Sequence, residues 1–112
     1  MSESSDKWVY IASPYTSGDV AVNVKNQMDA FIIIRKAGWV PIAPLMCHFI
    51  HIHDPQSYDF WFDTAVEWLK KCEYLVRLPG ESQGADKETQ LAKEMGVFIF
   101  DGIGDFLDHI KS

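Results

Sequence analysis

One carboxylate in the sequence is placed where water is not expected to reach it freely. Glu88 lies on a predicted helix that begins near Gln83, and its neighbours on the same helix face are small or apolar: Gly84, Ala85, Leu91 and Ala92. We therefore expect Glu88 to point towards a cleft, where a carboxylate can act as a nucleophile or carry a proton. The alternative is a structural acid that caps its own helix or pairs with a distant side chain.

The loop in front of that helix, residues 78–85, offers a second kind of chemistry. It supplies the Ser82 hydroxyl, two glycines and several unpaired backbone amides at a helix N-terminus, a combination that suits an anion such as a phosphate. Taken alone, Ser82 fits an ordinary N-cap better than a ligand-binding residue. The loop carries neither the GxxxxGK[ST] nor the GxGxxG pattern, so neither a P-loop nor a dinucleotide-binding fold is indicated.

Side chains that can bind metal ions crowd into residues 47–54: Cys47, His48, His51, His53 and Asp54. Their spacing matches no standard structural zinc pattern, and no second pair of ligands lies elsewhere in the sequence. We therefore predict no metal, and expect these side chains to line the mouth of a substrate site. A metal-dependent hydrolase that uses this cluster is the alternative, and a metal-content assay would test it.

Apolar runs that fit short strands alternate with helical patterns along the chain. The predicted strands cover residues 8–12, 39–44, 73–78 and 97–100. The predicted helices run from a cap at Ser17 or Asp19 to residue 37, and over residues 58–71, 83–95 and 105–110, with residues 45–57 irregular. The first helix is expected to bury a stripe of apolar residues: Val20, Val24, Met28, Phe31 and Ile34. This order predicts an α/β fold, a single-domain doubly wound parallel sheet of four to five strands with helices on both faces.

The predicted sheet brings the candidate residues to one edge. Ligands of such sheets bind outside the carboxyl ends of the strands. Here that edge comprises residues 12–18, the segment from residue 43 onward, and residues 78–84 and 100–104. Both the loop before Glu88 and the histidine-rich segment therefore belong to the predicted ligand-binding edge.

Composition narrows the class of protein. The 112 residues are 47% apolar with a net charge of −6 and no basic stripe, which disfavours a nucleic-acid polymer as partner but allows a single nucleotide. Cys47 and Cys72 are expected to be free thiols in a reducing compartment. The polar, acidic residues 1–6 resemble a tail rather than a signal peptide, and no apolar run is long enough to span a membrane. We predict a cytoplasmic protein with a tail at 1–6 and one domain at 7–112.

Several runs of the sequence together resemble one enzyme superfamily. They are residues 10–16 (YIASPYT), Gly38 with Pro41 and Pro44, Cys72-Glu73, and residues 78–88 (LPGESQGADKE) with Ala92 and Gly96. This set resembles the nucleoside 2-deoxyribosyltransferase superfamily, which includes the 2'-deoxynucleoside 5'-monophosphate N-hydrolases and small uncharacterised relatives. The resemblance extends over residues 8–100, and its most specific piece is S-x-G-x-x-x-E after a strand.

The resemblance implies a role for each matching position. Glu88 falls on the nucleophile that attacks the anomeric carbon and displaces the base, and Tyr10 on the tyrosine whose hydroxyl helps to hold it, although a core aromatic is the alternative for Tyr10. Ser82 falls on a phosphate-binding serine of the monophosphate-hydrolysing branch. The other positions implied in substrate binding are Ser13, Pro14, Tyr15, Thr16, Gly84 and Ala85. The resemblance also implies a homo-oligomer, at least a dimer, that works without metal or cofactor.

The sequence departs from the superfamily pattern at one position. An aspartate that protonates the leaving base usually lies eight residues before the acid that opens the third strand, and here that position is Ala65. Asp63, or alternatively Asp59, is expected to take over this role through a local shift. We thus predict cleavage or transfer of a nucleoside or nucleotide N-glycosidic bond. The alternative is a non-catalytic nucleotide-binding or sensing module on the same fold.

Overall fold

The computed structural model describes residues 7–111, so the predicted tail and Ser112 lie outside the described residues. Helices and strands alternate along the chain. The first half contains β1 (Trp8–Ala12), α1 (Val20–Lys36), β2 (Val40–Ile42), a 3₁₀ turn (Pro44–Cys47) and α2 (His48–His53). The second half contains α3 (Tyr58–Leu69), β3 (Tyr74–Arg77), α4 (Gln83–Glu94), β4 (Phe98–Asp101) and α5 (Ile103–Lys111).

The four strands form one parallel sheet in the order β2-β1-β3-β4. The strand β2 lies at an edge, where Pro41 can be accommodated although it has no N–H to donate. From β1 the chain moves outward to β2, then crosses back over β1 to form β3 on its other side. The connections that leave β1 and β3 therefore diverge, and a crevice opens at the carboxyl ends of these two strands.

Helices cover both faces of the sheet, which confirms the predicted doubly wound α/β fold. Successive side chains of β1 point to opposite faces. Val9 and Ile11 pack with α1 and α5 on one face, in a core that includes Ala30, Ile34, Val76, Phe100 and Phe106. Tyr10 and Ala12 pack with α3 and α4 on the other face, in a core that includes Ala65, Leu69, Leu75, Ala85 and Ala92. The face that holds α3 and α4 is the one that carries Glu88.

The predicted buried stripe of α1 is wrong in part. The buried residues of this helix are Gln27, Ala30 and Ile34, whereas Met28 is 47% exposed. The helix is rotated so that Gln27 faces the sheet, because its amide makes hydrogen bonds that compensate for its loss of water. A pattern based on apolar residues alone does not select a glutamine as a core position.

The prediction of an irregular segment over residues 45–57 is also wrong. Most of it forms the 3₁₀ turn, which Pro44 starts at a position that suits proline, and the short helix α2. All six residues of α2 are exposed or half-buried, including the apolar Phe49, Ile50 and Ile52. Because no stripe of this helix is buried, its apolar residues give no helical periodicity that could be recognised in the sequence.

Three helices begin at side-chain caps, and two of these caps, Asp19 and Ser82, were candidates in the sequence. The side chains of Asp19, Ser57 and Ser82 accept hydrogen bonds from the amides of Val22, Phe60 and Ala85. Cys47 and Cys72 are free thiols, as predicted. Among the helices of residues 7–111, none combines the length and the apolar composition that crossing a membrane requires.

Candidate functional site

A cavity of about 980 Å³ occupies the crevice at the carboxyl ends of β1 and β3. This volume is at the upper end of what small-molecule sites have. The loop after β1 contributes Ser13, Tyr15, Thr16 and Ser17 to its lining. Two further parts of the wall come from the start of α4 and from the segment that contains α2. The α4 wall consists of the lining residues between Glu81 and Glu88, and the α2 wall consists of the lining residues between Pro44 and Gln56.

Glu88 and Tyr10 meet at the base of this cavity. Tyr10 is fully buried in β1, and its hydroxyl donates a hydrogen bond of 2.9 Å to Glu88 Oε2. Glu88 lines the cavity from the sheet-facing stripe of α4, between the buried Ala85 and Ala92. The structure therefore places this carboxylate where the small and apolar neighbours in the sequence indicated.

Burial changes the ionisation of both groups. Burial raises the pKa of Glu88 to about 7, while the Tyr10 hydrogen bond and the positive charge of Arg77 act to lower it. The pKa of Tyr10 is raised well above its ordinary value, first by burial and then by the negative charge of Glu88. Tyr10 thus remains a hydrogen-bond donor at neutral pH, and Glu88 can exchange a proton there.

Arg77 fixes the loop that leads into α4. Its Nη2 donates to the Gly80 carbonyl and to Asp86 Oδ1, both at 2.9 Å, and its Nη1 donates to the Leu78 carbonyl. Gly80 has a φ of +117°, and a Cβ there would stand 2.8 Å from Pro14 Cγ, so this position requires glycine for two reasons. Pro14 lies beneath this loop and lines a smaller neighbouring recess rather than the cavity.

The helix start at Ser82 has the geometry of an N-cap. Ser82 Oγ accepts a hydrogen bond of 3.0 Å from the Ala85 amide, and Ser82, Gly84 and Ala85 all line the cavity. The hydroxyl proton of Ser82 remains free to be donated to a ligand, because the cap uses Oγ only as an acceptor. A Cβ at Gly84 would meet only Ser82 Oγ, at 4.0 Å, so the space beside this glycine is open.

Gln27 connects the loop after β1 to the α2 wall, and the sequence patterns did not single it out. Its Nε2 donates to the Ile11 carbonyl at 3.1 Å and to Ser13 Oγ at 2.9 Å. Its Oε1 accepts from the Leu45 amide at 2.8 Å. Ser13, which was predicted to bind substrate, is buried and lines the cavity with its hydroxyl held by this amide. The feature of the sequence that could have identified Gln27 is its helical spacing from Ala30 and Ile34, which places all three residues on one face of α1.

Asp63 and Asp59 do not line the cavity. Both side chains are exposed on α3, whereas Ala65 is buried and lines the cavity. Residues two apart on a helix point about 200° away from each other, so α3 cannot present both Asp63 and Ala65 to the same space. The structure therefore brings a methyl group, and neither aspartate, to the part of the wall where the resemblance led us to expect a carboxylate.

The side chains of the predicted histidine and cysteine cluster are dispersed. Cys47, His48 and His51 line the cavity, while His53 and Asp54 are exposed. Within residues 7–111, no three histidine, cysteine or acidic side chains are grouped so that they could hold a metal ion. Tyr15, which was predicted to bind substrate, is hydrogen-bonded through its hydroxyl to His48 Nδ1. Together they close one side of the α2 wall.

Aromatic side chains of α3 complete the cavity. Its lining includes Tyr58, Trp61, Phe62 and Trp68. Lys87 of the α4 wall places its ammonium group 5.4 Å from the ring centre of Tyr58, a distance at which a cation is attracted to an aromatic face. The arrangement thus combines flat apolar surfaces with the half-buried Glu88 carboxylate and a helix N-terminus capped by Ser82.

The chain belongs to a family described only as a domain of unknown function, DUF7768, whose model matches residues 7–101. The matched region contains β1 to β4 and every lining residue of the cavity. No curated protein matches the sequence.

Proposed function

We propose that this protein cleaves or transfers the N-glycosidic bond of a nucleoside or nucleotide, with Glu88 as the nucleophile. One observation carries the proposal: a carboxylate hydrogen-bonded by a buried tyrosine lies in a large cavity at the point where the connections of β1 and β3 diverge. Its pKa of about 7 allows a substantial ionised fraction at neutral pH. The resemblance to nucleoside 2-deoxyribosyltransferases supplies the substrate class.

In the first step, Glu88 attacks the anomeric carbon of the sugar. The Tyr10 hydroxyl occupies Oε2, which leaves Oε1 as the attacking atom. A bond forms between Oε1 and the anomeric carbon as the bond to the base nitrogen breaks, and the electron pair of that bond leaves with the base. The base then takes up a proton from solvent. The ionised carboxylate stabilises the positive charge that develops on the sugar ring in this step.

In the second step, the sugar ester of Glu88 is resolved. Water adds to the anomeric carbon in hydrolysis, or the nitrogen of a second base adds in transfer; the attacking group loses its proton to solvent, and the Glu88 carboxylate leaves with its electron pair. The α4 wall is suited to hold a 5'-phosphate during both steps, because the Ser82 hydroxyl and the first amides of α4 meet there. We propose that Ser13, Tyr15, Thr16, Gly84 and Ala85 border the sugar and its phosphate.

The second candidate function is a non-catalytic nucleotide-binding module, and a specific observation favours it. Ala65 lines the cavity where a proton donor to the leaving base would be needed, and Asp63 is exposed elsewhere on α3. A missing general acid slows such a reaction by about 10²–10⁴-fold. The same cavity could therefore retain a nucleotide without turning it over at a useful rate.

The deciding experiment measures the release of free base by chromatography. A panel of nucleosides and 5'-monophosphates is incubated with the wild type and with Glu88→Ala, in the presence and absence of an acceptor base. Release or exchange that disappears in Glu88→Ala supports the enzyme and shows whether phosphate and acceptor matter. If no substrate releases base while nucleotides still raise the melting temperature, the binding module is the correct function.

We further propose that the protein works in the cytoplasm as a homo-oligomer, at least a dimer. The free thiols Cys47 and Cys72 fit a reducing compartment. The exposed apolar residues Phe49, Ile50 and Ile52 of α2 form a surface that a neighbouring subunit could cover. Light scattering coupled to size-exclusion chromatography tests the oligomeric state, and a monomer at micromolar concentration would contradict it.

A further inference from the structure

His51 is the histidine of α2 whose ring protonation is fixed by its neighbours. Its Nδ1 accepts a hydrogen bond of 2.9 Å from Trp61 Nε1 and one of 3.3 Å from the Gln56 backbone amide. Neither an indole N–H nor a backbone N–H can accept a hydrogen bond. Nδ1 must therefore be the unprotonated nitrogen, and the ring carries its proton on Nε2.

The two other histidines of α2 lack this constraint. His48 Nδ1 lies against the Tyr15 hydroxyl, which can either donate or accept, so that contact is compatible with both tautomers. His53 is exposed and is not part of the cavity lining. The three histidines of α2 thus differ in whether their neighbours fix the position of the ring proton, although they lie within six residues.

The position of His51 connects it to the part of α3 that carries Ala65. Trp61, which holds the His51 ring, and Ala65 are four residues apart and both line the cavity. Such pairs lie on one helix face with their Cβ atoms about 5–6 Å apart. The side chains that α3 contributes to the lining are aromatic or a methyl group. A nitrogen donor beside them would be an oriented polar group next to flat, apolar surfaces.

We propose that Nε2–H of His51 donates a hydrogen bond to an acceptor atom of the bound base, either a ring nitrogen or a carbonyl oxygen. His51 is then a specificity-determining residue for a planar heterocycle that stacks on the aromatic side chains of α3. The inference rests on the proposed nucleotide substrate and deepens it. The role of His51 is to donate a hydrogen bond rather than to transfer a proton, since a second proton on Nδ1 would break the hydrogen bonds from Trp61 and Gln56.

The tautomer can be read in the ligand-free protein. Long-range ¹⁵N–¹H correlation spectra of the imidazole rings distinguish a proton on Nε2 from one on Nδ1, and His51→Gln identifies the signal. We expect the pattern of an Nε2 proton for His51, and an Nε2 shift that moves when a 2'-deoxynucleoside 5'-monophosphate is added. A proton on Nδ1, or an Nε2 signal that no bound nucleotide moves, would overturn the inference.

A binding series separates contact with the base from contact with the sugar phosphate. The affinities of the four 2'-deoxynucleoside 5'-monophosphates and of 2-deoxyribose 5-phosphate, which has no base, are measured by calorimetry. We expect His51→Phe to weaken at least one nucleotide by about 5- to 20-fold and the sugar phosphate by less than about 2-fold. His51→Gln can place an amide N–H near the position of Nε2, so it should recover most of the affinity.

His53→Phe is the matched control, because it makes the same substitution on the same helix outside the cavity. It should leave every affinity unchanged. Equal losses for nucleotides and sugar phosphate in His51→Phe, or no loss at all, would contradict the assignment. If nucleotides bind through His51 but no base is released, only the proposed catalysis fails. If no nucleotide binds, both proposals fail.

Discussion

The two walls of the cavity are held in place in different ways. The α4 wall belongs to a helix whose Ala85 is buried, with Ser82 as its cap, Arg77 bonded to the loop before it, and Tyr10 bonded to Glu88. The α2 wall has no buried residue in its helix, and side chains distant in sequence hold it: Gln27 through Leu45, Tyr15 through His48, and Trp61 through His51. The α4 wall carries the candidate nucleophile, while the α2 wall carries His51, the proposed hydrogen-bond donor to the base.

If the proposed function is correct, this difference separates the reaction at Glu88 from recognition of the base. A substitution of Glu88 in the α4 wall should change the rate of the chemical step with little effect on which base is bound. A substitution that disturbs the α2 wall should change affinity, selectivity or stability first. Each prediction below tests whether the two walls can be separated in this way.

The largest effect is expected for Glu88→Gln, which retains the shape of the side chain but removes the nucleophilic charge. Base release should fall by about 10³-fold or more, because Glu81, the other carboxylate of the described cavity lining, is exposed in the loop before α4 and does not share the position of Glu88. Nucleotide affinity should change by less than about 5-fold. Single-turnover assays and calorimetry measure the two quantities.

Glu94→Gln is the control for that substitution, since Glu94 lies at the exposed end of the same helix. It should behave like the wild type in both assays. If Glu88→Gln released base at the wild-type rate, Glu88 of the α4 wall would have no part in the chemical step.

Among substitutions that disturb the α2 wall, Gln27→Leu should have the largest effect on stability. It removes the three hydrogen bonds that join β1 and its loop to Leu45, and leaves the Ile11 carbonyl, the Ser13 hydroxyl and the Leu45 amide without this partner. We expect the free energy of unfolding to fall by about 2–3 kcal/mol, which corresponds to about 10²-fold in the unfolding equilibrium. Urea denaturation measures it.

The exposed Gln90 provides the comparison for that variant. Its amide bonds to Glu94 on the surface of α4, so Gln90→Leu should change stability by less than about 0.5 kcal/mol. Equal stabilities for the two glutamine variants would mean that Gln27 does not hold the α2 wall.

The contrast between the α4 wall and the α2 wall also explains how much of the fold and of the candidate site can be predicted from the sequence. The elements around Glu88 follow local rules: a serine cap, an apolar stripe with one acid in it, and a glycine after the strand. These rules predicted the α4 wall and the carboxylate within it. The α2 wall depends on pairs such as Trp61 with His51, which lie 10 residues apart, and on Gln27 with Leu45, which lie 18 apart. No periodicity in the sequence encodes such pairs, so α2 and Gln27 were missed.

Prediction from the sequence was also limited because the sequence does not show on which side of a helix a polar residue lies. Asp63 and Ala65 are both compatible with the pattern of α3 in the sequence, and only packing decides which one faces the cavity. The structure buries Ala65 and exposes Asp63, because the small side chain fits against the sheet whereas a carboxylate would have to give up its water.

Ala65→Asp should accordingly raise the rate of base release if the protein is an enzyme without a general acid. The new carboxyl group would enter the cavity on the face that carries Trp61, and a gain of about 10–10²-fold is expected, below the full contribution of such a group because its geometry is not optimised. Steady-state assays of base release give the change in kcat. A binding module would show nucleotide binding but no release in this variant either.

Ala65→Asn has the same size as the aspartate variant without a proton to give. If both variants gain equally, the new side chain improves packing or substrate position rather than protonation. A loss of folded protein in both would be visible as a lower melting temperature, and would separate a structural failure from a chemical one.

Tyr10→Phe should produce the smallest change, and its sign follows from the ionisation of Glu88. Attack requires the carboxylate, so kcat/KM for base release should rise as the pH increases through about 7, where burial has placed the pKa of Glu88. The Tyr10 hydrogen bond acts to lower that pKa, and its removal should therefore move the midpoint of the profile to higher pH. At pH 7 a smaller fraction of Glu88 is then ionised, and we expect kcat/KM to fall by about 10-fold, with a smaller loss towards pH 9.

A fall in kcat/KM of equal size at every pH would instead assign Tyr10 to packing or to the substrate, because only an effect on the charge of Glu88 can be recovered by raising the pH.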